Sequence, residues 1–87
     1  MAPRPPYDWD AEKSRANLDK HGVAFEAVED FDWAGAVEAE DVRYDYGETR
    51  MQALGLIGDR RHVLVYTRRE DIIRVISLRK ANRRELR

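Results

Sequence analysis

The sequence predicts an α+β fold, and three observations predict it. First, Arg50 to Ile57, His62 to Arg68 and the run from Ile72 are rich in apolar and β-branched residues. Short polar turns join them, Gly58-Asp59-Arg60-Arg61 and Arg69-Glu70-Asp71, which is the pattern of an antiparallel meander. Second, the N-terminal third has cap residues and helical spacing of its apolar positions. Third, the last strand runs into basic residues set among helix formers. The expected order is two N-terminal helices, an antiparallel sheet of about four strands, and a short basic C-terminal helix. Eighty-seven residues hold one core of modest size.

Each element has its own warrant. Residues 1–6 carry three prolines and read as a flexible leader, so one domain is expected over 7–87. Asp8 or Asp10 can cap a helix through an otherwise unpaired backbone N–H, and Gly22 can end it. In that helix Ala11 and Leu18, with Trp9, are expected to face inward. Lys13, Asn17 and Lys20, at i, i+4 and i+7, share a polar face. A second helix is expected from Phe25 to Phe31, with Phe25, Val28 and Phe31 (or Trp33) on its apolar side. Ala34-Gly35 breaks the pattern, and Ala36 to Ala39 suits a short edge strand. Residues 40–47 read as a polar loop.

The final stretch, from Asp71 to Arg87, organises the rest. Ile72, Ile73, Val75 and Ile76 suit a buried strand. Arg74 interrupts it, and a buried charge needs a partner or a path to solvent. Ser77 and Arg79 leave on one face of the strand's end, whereas strict alternation sends Arg74 to the other. The three meet only if the strand twists or bulges, or if the long arginine reaches round an edge.

Composition excludes several classes. There is no cysteine, hence no disulfide framework, thiolate metal site or cysteine nucleophile. Asp, Glu and His show no metal-cage spacing, so neither metal nor other cofactor is expected. No apolar run has the length of a membrane span, and the first residues lack the apolar segment of a secretory signal. A cytoplasmic protein is expected. The net charge of −1 conceals a division: residues 1–48 carry 5 basic and 13 acidic residues, and residues 49–87 carry 11 and 4. The halves can neutralise each other, or the basic half can steer an anion.

Three blocks carry a family resemblance. Trp9 to Phe25 reads W-D-x-x-K-x-x-x-N-x-x-K-H-G-V-x-F. Glu48 and Arg50 form E-x-R, followed by A-L-G at Ala53 to Gly55. Val65 to Glu85 holds V-Y-T-x-R and R-x-I-S-x-R-K-A-x-x-x-E. In this order the blocks resemble the BrnT toxins, with Leu78 standing where that family usually has alanine. The resemblance implies a RelE-like fold and the toxin role in a type II toxin–antitoxin pair, a ribonuclease that stops translation. It also implies a BrnA-like antitoxin with a DNA-binding domain, joined to the toxin in a hetero-oligomer that reaches operator DNA only through the antitoxin. Two readings compete with it: a non-catalytic RNA- or ribosome-binding module, and an interaction protein using its basic face only for a partner.

RNA cleavage without metal needs a base for the 2′-hydroxyl, a cation for the charge on phosphorus and an acid for the leaving oxygen. Arg79, Arg50 and Arg74 are the candidate cations, since a guanidinium fork binds two phosphate oxygens; alternatively they pair with the acidic half. His21 is the candidate acid or base, or it answers a helix dipole. Ser77 can hold a phosphate oxygen or a backbone group. Glu48 can orient Arg50 or act as base. Lys13 and Lys20 can touch RNA or keep a helix face soluble. Lys80, Arg83 and Arg84 can bind phosphate or receive an acidic partner. His62 fits no block and is expected to be structural or exposed.

Overall fold

A computed structural model describes residues 6–43, 45 and 47–85. Its elements are β1 (Tyr7–Asp8), α1 (Ala11–His21), a 3-10 helix (Phe25–Asp30), β2 (Val37–Asp41), β3 (Arg50–Ile57), β4 (Arg60–Arg69) and β5 (Ile72–Lys80). The strands form one sheet in the order β1-β5-β4-β3-β2. β1 runs parallel to β5, and the remaining pairs are antiparallel.

This corrects the expected architecture in three places. The sheet has five strands and is mixed, because Tyr7 and Asp8 pair with Ile73 and Arg74. Pro6 joins the same pairing, its carbonyl accepting from Ile73 N at 3.0 Å; residues 1–5 of the expected leader lie outside the described residues. The second helix is a six-residue 3-10 helix, leaving α1 as the single long one among the described residues. Phe25, Val28 and Phe31 recur every third residue, which is the 3-10 period; an α-helix would splay them round its axis. The expected C-terminal helix is a turn across 83–85, with 86–87 outside the described residues. There Asn82 N donates to Glu85 Oε1 at 2.8 Å, and Glu85 N donates to Asn82 Oδ1 at 3.0 Å.

α1 begins where Asp10 Oδ1 accepts from Glu12 N and Lys13 N, and it ends at Gly22, whose φ of 73° suits a residue without Cβ. Its inward face differs from the expected one. Leu18 is 47% exposed and Ala11 is exposed, whereas Ser14 and Asn17 are buried. The cause is position. β1 covers only the first part of β5, so the backbone of Leu78 lies on an open edge. Asn17 Nδ2 donates to Leu78 O at 2.6 Å and to Val23 O at 2.7 Å. Ser14 Oγ accepts from Phe25 N at 3.0 Å and donates to Glu26. A buried backbone edge needs polar partners, and here they outrank apolar burial.

The core lies between the 3-10 helix and one sheet face. Val23, Phe25, Val28 and Phe31 pack on Ala53, Leu64, Tyr66, Ile73, Val75 and Leu78. Trp9 joins its margin, its ring edge-on to Phe25 with centroids 6.5 Å apart. A Cβ at Gly55 would come within 2.7 Å of Phe31 Cζ, so this glycine lets the phenylalanine reach the sheet. His62 is buried on the same face, its Nδ1 2.9 Å from Arg60 O.

Candidate nucleic-acid interface

The sheet's other face holds the candidate residues, because β5 is bulged. Val65 pairs with Ser77 while the next residue, Tyr66, pairs with Val75, leaving Ile76 as the extra residue. An inserted residue reverses the alternation beyond it. Ile73 and Val75 therefore point to the core before the bulge, and Leu78 does so after it. Arg74, Ser77 and Arg79 emerge together on the opposite face, across from Thr67, Val65 and Val63. The bulge thus resolves the conflict that strict alternation posed. Arg50 shares this face by alternation with Gln52 and Leu54, and its half-buried side chain keeps Nε shielded from solvent.

α1 supplies one border. Lys13, Ala16, Asn17, Lys20 and His21 line a shallow groove of about 290 Å³ with Ile76 and Ser77. Lys13 and Lys20 are exposed, so the helix presents a basic stripe beside the bulge. Burial lowers the His21 pKa from its ordinary value, and the charges of Lys20 and then Arg79 lower it further. An imidazole in this setting is neutral near pH 7 and can take a proton.

Arg74 and Arg79 each have a carboxylate. Arg74 Nη1 donates to Asp8, which β1 holds beside it. Arg79 meets Glu85 fork to fork, Nη1 to Oε1 at 2.7 Å and Nη2 to Oε2 at 2.8 Å. That contact raises the Arg79 pKa and holds the Glu85 carboxyl below its ordinary range. Arg43 also acts on Arg79 by charge, and it donates to both Asp41 oxygens at 3.0 Å. A guanidinium has five N–H groups and Glu85 takes one from each Nη. The Nε edge takes no part in that contact.

Other candidates lie elsewhere. Glu48 is 3.5 Å from Arg69 Nη2 and lines a separate cleft with Glu38, Met51, Tyr66 and Arg68. Lys80 pairs with His62 and falls on the core side of the sheet. Arg83 and Arg84 are exposed in the C-terminal turn. Sequence reasoning passed over Glu85, Arg43 and Asp8. The Asn82-x-x-Glu85 spacing, that of a reciprocal cap, was the available signal for Glu85. Among the described residues no three His, Asp or Glu side chains cluster to hold a metal. No helix among them is long and apolar enough to cross a membrane.

With this geometry in view, comparison with known proteins bears on function. The model of one family, described as ribonuclease toxin, BrnT, of type II toxin-antitoxin system, matches residues 9–85. That span takes in α1, the bulge and Glu85, and the chain belongs to this family of ribonuclease toxins. A toxin of this type has an antitoxin partner. No curated protein matches the chain.

Proposed function

We propose that the chain is a metal-independent endoribonuclease that cuts RNA and so stops translation in the cytoplasm. The observation that carries this reading is the bulge at Ile76, which sets Arg74, Ser77 and Arg79 on one face beside His21. The free edge of the Arg79 guanidinium binds two non-bridging oxygens of the scissile phosphate, with Ser77 donating to one of them. Neutral His21 takes the 2′-hydroxyl proton. The 2′-oxygen then bonds to phosphorus, the bond to the 5′-oxygen breaks, and the protonated imidazole returns its proton to that oxygen. Arg79 and Arg74 stabilise the charge that grows on phosphorus between these steps. Glu85 and Asp8 orient these two arginines. Lys13, Lys20 and the exposed Arg83 and Arg84 hold the flanking backbone, with Arg50 adding positive charge to the same face.

A BrnA-like antitoxin covers this face and neutralises the toxin, and its DNA-binding domain links the hetero-oligomer to the operator. The test is induced expression in bacteria, with and without the neighbouring reading frame, following RNA integrity. RNA should fragment only without the partner, and the purified chain should cut RNA in excess EDTA. Intact RNA and normal growth without a partner would overturn the reading; activity lost in EDTA and restored by a divalent ion would overturn its metal independence.

A further inference from the structure

We infer that the sheet beside Arg79 carries a nucleobase subsite, with Gln52 reading the base; this rests on the ribonuclease reading and deepens it. A depression of about 230 Å³ opens there, lined by Val37, Ala39, Gln52, Leu54, Val63 and Glu85. The strand register ties it to the phosphate-binding cation. Val37 pairs with Leu54, Leu54 with Val63 and Val63 with Arg79, making one row across four strands. Neighbouring strands lie about 4.8 Å apart, so Leu54 stands roughly 10 Å from the backbone of Arg79 in the sheet plane. A base attached to a nucleotide whose phosphate sits on Arg79 therefore reaches the floor formed by Leu54 and Val63. The next row holds Ala39, Gln52, Val65 and Ser77. There Ala39 leaves room over the sheet, and the Gln52 amide offers both a donor and an acceptor.

The composition selects the occupant. A flat apolar floor with hydrogen-bonding groups at its edges matches a planar ring that is apolar on its faces and polar at its rim. An aliphatic side chain from a protein partner would cover the floor but leave the Gln52 amide without a partner, at a desolvation cost. Glu85 joins the two parts of the site. It grips Arg79 on one side and bounds the depression on the other. Bound phosphate and bound base are thus held in one frame.

The test maps the ends produced from a mixed-sequence RNA by the wild-type chain, Gln52→Leu and Gln52→Glu, with thermal melts to confirm folding. Gln52 is half-buried on an open face, and two variants of different polarity guard against a folding failure in either. The wild type should prefer a base at a fixed position from the cut. Gln52→Leu should flatten that preference by about tenfold, the scale of one lost base contact, and Gln52→Glu should redirect it. Folded variants that keep the wild-type preference would overturn the subsite, as would wild-type cleavage without any base preference. Loss of antitoxin capture in Gln52→Leu, with cut sites unchanged, would assign the depression to a protein contact and overturn it too. A wild type that cuts no RNA at all would fail the ribonuclease reading itself, which separates that failure from one confined to the subsite.

Discussion

Burial, Lys20 and Arg79 all push the His21 imidazole toward its neutral form. Its pKa in the folded chain lies below the ordinary 6.5, so a base at this position stays active at pH values where a free histidine is charged. The rate of RNA cleavage should rise with pH along a limb centred below 6.5. Lys20→Ala should move that limb upward, because one of the charges that depresses the pKa is gone. A limb that does not move in Lys20→Ala, or that persists in His21→Ala, would assign the titration to another group. The same shift has a cost in stability. Because the unfolded chain binds the proton more readily, stability falls as pH drops through 6.5 toward the folded value. Glu85 acts in a lower window: its pKa is also depressed, so the Arg79 pair stabilises the fold above the ordinary glutamate range and is lost as pH falls through the depressed value.

At the scale of elements, Asn17 supplies the side-chain hydrogen bonds that join α1 to β5. Asn17 satisfies the carbonyls of Val23 and Leu78 at a position without β1 to pair. Asn17→Leu should destabilise the fold by roughly 2–3 kcal/mol in urea unfolding, since both carbonyls lose a buried partner. Leu18→Ala, on the half-exposed side, should cost far less. Equal costs would mean that α1 is held by its apolar surface after all. β3, β4 and β5 were legible because apolar runs separated by the turns at Gly58-Asp59 and Glu70-Asp71 leave few other choices. β1 was not, because a two-residue strand has no periodicity to read. The inward face of α1 was missed because hydrophobic spacing cannot flag a serine and an asparagine that serve the backbone. The bulge left no mark either, since Ile76 is as apolar as its neighbours; only the awkward placement of Arg74 hinted at it.

Across the whole molecule, the division of charge in the sequence becomes a division of labour. Arg74 pairs with Asp8, Arg68 with Glu38 and Arg69 with Glu48, each joining the basic half to the acidic one. These partly exposed pairs contribute little to stability and mainly fix positions. Arg79 differs, taking its carboxylate from the turn that follows its own strand. The sequence blocks made the family legible over nearly the whole chain, while the grouping of site residues depended on contacts far apart in sequence. Glu48, two residues before Arg50 in its motif, faces another cleft, and Glu85, six residues beyond Arg79, returns to meet it. The most direct measurement is the RNA cleavage rate of Arg79→Ala and Arg79→Lys against wild type, with a thermal melt of each. The account predicts that Arg79→Ala loses about a hundredfold or more while staying folded, because a preorganised cation at the phosphate contributes about 3 kcal/mol to the barrier. Arg79→Lys should remain impaired, keeping the charge without the fork. A folded Arg79→Ala that cuts RNA at the wild-type rate would contradict it.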